Sequence, residues 1–280
     1  MNKIIFLLIA YSICVYSQNL YGVYAIEFAG TDEKVSAVTV AYGGNEVNSV
    51  QTSFFIWLLV GENGKKILVD AGYTRRIVSV NKYYANYIRP DSALLEIGIS
   101  PNDISDIIIT HPYWDHIGGI KLFKKAKLWM QRVDYYYFVG DAWQAGGNNL
   151  VFIKGNVIEI LKENLNDRLN LIDGDSLEII PGIWVFTGEK HTFKNQYVRV
   201  FTRIHTGKIE SVIITSDACW YYYNWGNNPS VTLCFCKKEY VENLRRMKRL
   251  VNNSKFIIPG HDKRVMELFE KVSKNIVRIL

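Results

Sequence analysis

Cysteine is scarce in this chain of 280 residues: there are four, and only Cys219, Cys234 and Cys236 lie beyond the first seventeen positions. Three thiols, an odd count, supply no disulfide framework, so the fold must rest on its apolar core. They read as small buried or partly buried thiols, although a Cys219 thiolate could also bind a soft metal. Proline is equally sparse, at six residues. No Pro/Ser-rich linker, low-complexity segment or clear internal repeat divides residues 18–280, which read as a single domain. No apolar run in that stretch is long enough to span a bilayer. The formal charge of +6 is scattered. Its exceptions, Lys121, Lys124, Lys125 and Lys127, and Arg245, Arg246, Lys248 and Arg249, read as solvated helix faces. No nucleic-acid-binding motif accompanies them, so no nucleic-acid partner is expected. With 49% apolar residues the chain is not disordered.

What is present begins with a leader. Lys3 precedes the apolar stretch Ile4 to Tyr16, and Val15 and Ser17 suit a signal-peptidase site before Gln18. Residues 1–17 are therefore expected to be a signal peptide and the mature chain to be exported, periplasmic or secreted, with no membrane contact after cleavage. An uncleaved anchor is the alternative. Cys14 follows Tyr11-Ser12-Ile13, a poor lipobox.

The mature chain opens with β-rich runs: Tyr21–Gly30, Val35–Tyr42, Gln51–Val60 and KILVDAG, joined by Gly- and Asn-rich turns. They predict an antiparallel sheet. Helical pieces are expected between Tyr83 and Ile97, over Asn156–Leu165, over Cys236–Val251 and from Asp262 onward. A second β-rich half starts near Leu169, with two runs around Asp173-Gly174-Asp175 and a hairpin about His205, read as a surface residue.

The chemistry concentrates in THPYWDHIGG, Thr110 to Gly119, which follows the buried-strand run DIIIT. His111, Asp115 and His116 fall within six residues, and Gly118-Gly119 lets the chain turn. Other strand-like runs also end on an acid or imidazole: Asp70, His191, Asp217 and His261. Sheets gather strand ends along one edge, so these distant residues can converge there. Imidazole and carboxylate suit zinc, with iron or manganese as alternatives, one ion or two.

These segments carry a resemblance. THPYWDHIGG resembles the metallo-β-lactamase superfamily signature histidine-x-histidine-x-aspartate-histidine. The order ILVDAGY, GISPNDISDIIITHPYWDHIGGI, LWMQRVDY, LIDGDSLEIIPGIWV, HTFKNQYV, SDACWYYYN and IIPGHDKRV is similar to the N-acyl homoserine lactonase branch, over about Tyr21 to Leu268. The resemblance implies an α+β fold, a four-layer αβ/βα sandwich with a dinuclear site between its sheets. It implies His111 and His191 on one metal, Asp115, His116 and His261 on the other, Asp217 bridging, and Asp70 orienting a ligand. It implies a metal-dependent hydrolase of a small ester-like substrate, a lactone above all. In it a metal-bound hydroxide attacks the carbonyl and Asp115 passes the proton to the leaving alkoxide.

Two positions depart from the pattern. Tyr113 replaces the second histidine, either as a ligand or as a pocket residue. Trp220 stands where the lactonases place a tyrosine, with Tyr221, Tyr222 or Tyr223 as substitutes; Tyr221 is taken as the catalytic one. Trp220, Tyr136 and Phe138 are expected to line the substrate pocket. Loss of a ligand histidine leaves a second reading, a catalytically impaired metal- or ligand-binding protein. A third is another ester, thioester or β-lactam hydrolase.

Overall fold

The computed structural model describes residues 19–44, 46–74, 85–188, 191–227 and 230–280. The expected leader lies outside them, as do Tyr83 and Tyr84. Fifteen strands are described, in chain order β1 Tyr21–Gly30, β2 Val35–Ser36, β3 Ser49–Val50, β4 Ser53–Gly61, β5 Lys66–Val69, β6 Ile104–Ile108, β7 Lys127–Gln131, β8 Leu169–Ile172, β9 Leu177–Ile180, β10 Ile183–Thr187, β11 Gln196–Arg203, β12 Ile209–Ile214, β13 Ile257–Ile258, β14 Glu270–Lys271 and β15 Ile276–Arg278. One sheet has the order β14-β15-β1-β4-β5-β6-β7-β8, a second the order β13-β12-β11-β10-β9, and β2 pairs with β3.

The apolar pattern explains the layering. In β4, Phe55, Trp57 and Leu59 point into a core shared with Val185, Val198, Val200 and Val212 of the second sheet. Phe54, Ile56 and Leu58 point the other way, into a core with Leu94, Phe138 and Ile160 from three helices. A strand apolar on both faces is one covered on both faces. The outer face of the second sheet, with Phe186, Tyr197 and Ile213, is covered by Tyr240, Leu244 and Met247 of the helix Lys237–Arg249. Helices, sheet, sheet and helices make the four-layer α+β sandwich of the metallo-β-lactamase type. No helix among the described residues is long and apolar enough to cross a membrane.

Three expectations are corrected. Val35–Tyr42 is not one strand: Val35 and Ser36 pair with β3, Ala37–Val40 makes one helical turn, and Ala41 forms an isolated bridge to Val231. The chain folds back there so tightly that a Cβ on Gly44 would sit 2.4 Å from the Ala37 carbonyl oxygen, and this packing overrides the β-branched composition. The second half starts later than Leu169: β8 still belongs to the first sheet, and Asp173–Asp175 carries the chain across to β9 in the other. The segment from Asp262 contains only one helical turn, Val265–Leu268, before β14 and β15 return to the first sheet. Ile276 and Val277 each bury one face of that edge, a period-two pattern that a helix cannot satisfy.

The same topology positions the site. β5, β6, β7 and β8 pair in parallel, so the residues following β5 and β6 leave at one end of the sheet. In the second sheet β12 and β13 are parallel, and β10 runs the same way because β11 is antiparallel to both neighbours. Asp70, His111, His191, Asp217 and His261 all follow these strands.

Candidate metal centre

His111, Asp115, His116, His191, Asp217 and His261 are all buried. Asp115 and His116 lie on the helical turn Trp114–Ile117, not in the open loop. Gly118 caps that turn, and at Gly119 a Cβ would lie 2.0 Å from the Ala71 carbonyl oxygen, while Ala71 N–H bonds the His116 carbonyl. The turn is thus pressed against the residues following β5.

Each of the four imidazoles here is tied by its Nδ1. That of His116 lies 2.8 Å from Asp70 Oδ2, that of His191 2.7 Å from the Leu233 carbonyl, and that of His261 3.0 Å from the Ser53 carbonyl. His111 Nδ1 lies 3.1 Å from Thr110 Oγ1, whose own hydrogen goes to the Asp70 carboxylate at 2.9 Å. Carbonyls and carboxylates only accept, so each Nδ1 carries a hydrogen, and each Nε2 is left to meet a cation or, on His116 and His261 in the metal-free chain, a second proton. The four Nε2 atoms turn inward. Those of His111, His116 and His191 are buried without a hydrogen-bond partner. That of His261 lies 2.8 Å from Asp217 Oδ1.

His111, His116 and Asp217 form one group able to hold an ion, and Asp115, His116 and His261 another. His191 Nε2 joins the first through Asp217 Oδ2, at 3.0 Å. Buried imidazole lone pairs aimed at two carboxylates fit a divalent cation, and this donor set suits zinc. The electrostatics agree. Burial and the neighbouring His116 push the His111 pKa down to about 4. Burial also opposes charge on His116, but Asp115, Asp70 and Asp217 outweigh it and hold its pKa well above the usual value. Burial likewise opposes charge on Asp217, yet the surrounding imidazoles hold its carboxyl far below the usual range. The two acids demand positive charge, which protons on His116 and His261 otherwise supply.

Asp70 lies on the outer, Nδ1 side of the His116 ring. It holds Thr110 N–H at 2.8 Å and receives the Ser216 hydroxyl at 3.1 Å. Asp70 and Ser216 both have left-handed backbone, φ 62° and 45°. Such strain costs of order 1–3 kcal/mol per residue and persists where surrounding structure enforces it. Cys219 does not join the ligands: burial raises its pKa, and its thiol faces the Tyr221 carbonyl.

Tyr113 stands at the centre, its ring 4.6 Å from that of His111 and 4.7 Å from that of His191. Trp220 also lies against the histidines, 5.8 Å from the His191 ring and 6.3 Å from the His261 ring. Its buried indole N–H has no hydrogen-bond partner. Tyr221 is buried beside it, with its hydroxyl 2.7 Å from Thr52 Oγ1.

The expected pocket residues need correction. On the helix Arg132–Val139, Phe138 faces the core and Tyr136 is 57% exposed. Tyr137, one step round the helix, lines a recess of about 70 Å³ with Tyr113, Leu150, Phe152, Phe193 and Phe235. Helical periodicity decides this: Tyr135 and Phe138, three apart, share the inner face. Sequence reasoning also missed Asp134, which accepts from the Thr192 hydroxyl at 2.5 Å and from Lys194 N–H at 3.0 Å, and so holds the segment after His191. Its acid sits in the string LWMQRVDY, but nothing local distinguishes it from a surface aspartate.

Comparison with known proteins agrees with this architecture. The profile of the metallo-beta-lactamase superfamily matches residues 50–182. An N-acyl homoserine lactonase of a Bacillus species is 28% identical over 170 residues, 60% of this chain, which thereby spans 60% of that relative's length. An N-acyl homoserine lactonase of Bacillus cereus is 27% identical over 229 residues, 77% of this chain and 83% of the relative. A Bacillus thuringiensis protein solved with N-decanoyl-L-homoserine at its active site superposes with a TM-score of 0.68 at 20% identity, covering 91% of this chain and 98% of the other.

Proposed function

We propose that this chain, which belongs to the metallo-β-lactamase superfamily, is a metal-dependent hydrolase that opens a lactone bearing an apolar acyl chain. One observation carries the reading: four buried imidazoles, each tied at Nδ1, turn Nε2 toward two buried carboxylates. His111, His191 and Asp217 would hold one ion, and Asp115, His116, His261 and Asp217 another, with zinc the cation this donor set favours. Such a cation supplies Lewis acidity and lowers the pKa of water.

The chain's own residues do the rest. Asp115, kept ionised by His116 and His261 against the opposing effect of burial, accepts the proton of the attacking water. The water oxygen bonds the carbonyl carbon, the ring C–O bond breaks, and Asp115 returns the proton to the alkoxide. The partnerless indole N–H of Trp220 is available to the carbonyl oxygen as it gains charge. Tyr221, bound to Thr52, braces that side of the site. The acyl chain would lie across Tyr137, Phe193 and Phe235, whose rings follow one another at 4.6 and 5.6 Å. Leu150, Phe193, Leu233 and Phe235 are exposed there, an apolar strip suited to a tail and unsuited to a polyanion.

The test is lactone opening by the purified chain, followed by proton release across acyl homoserine lactones of increasing length. Turnover should vanish with a chelator and return with zinc. Bound zinc with no opening of any lactone, alongside hydrolysis of a chromogenic β-lactam or a thioester, overturns the substrate assignment. Tyr113, in place of a ligand histidine, supports the second reading, a binding protein on the same fold; it predicts lactone or product binding without turnover.

A further inference from the structure

The two oxygens of Asp217 face different pairs of imidazoles. Oδ2 lies 3.0 Å from His191 Nε2 and 3.6 Å from His111 Nε2. Oδ1 lies 2.8 Å from His261 Nε2 and 3.3 Å from His116 Nε2. Asp115 joins only the second pair, with Oδ2 3.4 Å from His116 Nε2 and 3.7 Å from His261 Nε2. One lobe therefore offers two imidazoles and two carboxylates. The other offers two imidazoles and a single carboxylate oxygen of its own, with His116, nearer Asp217 Oδ1, shared between the two groups.

Tyr113 is the side chain placed to make up that difference, because its ring touches both imidazoles of the poorer lobe. Its hydroxyl is directed elsewhere. It points to the main-chain carbonyl of His191, at 3.5 Å, and the ring packs on Phe152 at 5.8 Å. A phenol that faces a carbonyl must keep its hydrogen, whereas a phenol that ligates must lose it. The ring fills space beside His111 and His191, and its hydroxyl lies at the outer limit of hydrogen-bond distance from that carbonyl.

We propose that the centre is unequal: the Asp115–His116–His261 lobe with Asp217 takes one divalent cation tightly, the His111–His191 lobe takes a second weakly, and Tyr113 is a wall of that lobe, not a ligand. Four protein donors complete the coordination zinc adopts in closed sites, and three leave a position open. The inference rests on the metal-centre half of the proposed function and is independent of the substrate.

The test is a zinc titration of the chelator-stripped full chain, with bound zinc counted by equilibrium dialysis and heat recorded in parallel. The first equivalent should bind at least ~100-fold more tightly than the second, since even a lost outer partner costs roughly 10–100-fold. Tyr113→Phe keeps the ring packing and should leave both affinities and the cobalt-loaded visible spectrum unchanged. Tyr113→His should tighten the second equivalent by more than ~10-fold. Two equivalents of equal affinity overturn the proposal, as does selective loss of the second in Tyr113→Phe. So does a phenolate-to-iron charge-transfer band in the ferric-loaded parent that the Phe variant lacks. Failure to bind zinc at all removes the metal centre itself, which distinguishes that outcome from mere equality of the two lobes.

Discussion

Asp70 Oδ2 lies 2.8 Å from His116 Nδ1, a contact across 46 positions of sequence that sets which nitrogen of the ring faces the centre. The same carboxylate holds Thr110 N–H and hydroxyl, and Thr110 in turn receives His111 Nδ1. One buried acid thus orients two imidazoles. Asp70→Asn tolerates the left-handed backbone but turns an amide toward one of its donors. Zinc affinity should fall by roughly 10–100-fold, measured by dialysis against a competing chelator, with little change in far-ultraviolet circular dichroism. Unchanged affinity would show that the ring orientation is set by packing alone.

Gly119 joins the turn that carries Asp115 and His116 to the segment after β5. Its Cβ would lie 2.0 Å from the Ala71 carbonyl oxygen, a backbone atom with nowhere to move without disturbing Asp70. Gly119→Ala should cost about 3 kcal/mol or more by overpacking and should lower zinc affinity together with stability. Denaturant unfolding of the stripped and zinc-loaded protein separates the two losses.

Protonation links the centre to pH. In the metal-free chain Asp115, Asp70 and Asp217 hold the His116 pKa well above its usual value despite burial, so the ring is charged at neutral pH. A cation bound at Nε2 must displace that proton. Apparent zinc affinity should therefore rise with pH, by about tenfold per unit for each proton released, until the pH passes the raised pKa. Titrations at three pH values check the slope; a flat profile between mildly acid and mildly alkaline solution contradicts it.

Asp134 behaves in the opposite sense. Burial, opposed by the Thr192 and Lys194 hydrogen bonds, raises its pKa to about 6. A carboxyl that binds its proton more tightly when folded stabilises the fold fully below its unfolded pKa. That contribution is lost as pH rises from ~4 through ~6, on the order of 3 kcal/mol in all. Asp134→Asn cannot ionise, so the drop in stability of the metal-free protein over that window should shrink by a comparable amount. Parallel denaturant curves for the two proteins at the ends of the window measure it.

Much of this site is legible in the chain, for a physical reason. A site residue that follows a buried strand is announced by the strand, because a run of apolar β-branched residues is poorly placed in water. Ile107 to Ile109 point to His111, Val212 to Ile214 to Asp217, and Ile257 with Ile258 to His261. The surrounding support is not announced in that way. Thr110, Ser216, Asp134 and the Leu233 carbonyl act through contacts across tens of positions, and the backbone carries no residue-type signal for a carbonyl acceptor. Aromatic density alone does not place Tyr136 and Phe138, because on a helix adjacent residues point about 100° apart. Val35–Tyr42 failed differently, since its β-branched residues met a tight backbone approach at Gly44 that composition does not record.

The apolar strip beyond Tyr113 makes the last expectation specific. Phe235 is 58% exposed, and its ring meets Phe193, which meets Tyr137, so the contacts run outward from the centre. An exposed phenylalanine contributes little to folding, so Phe235→Ala should leave thermal stability nearly unchanged. A substrate tail lying on it would lose about 1–2 kcal/mol of apolar contact, equivalent to roughly a tenfold rise in KM. The effect should appear only for lactones with long acyl chains, and kcat should hold, because the tail is remote from the reacting carbonyl. An equal loss for short and long chains would move the tail to another wall of the site.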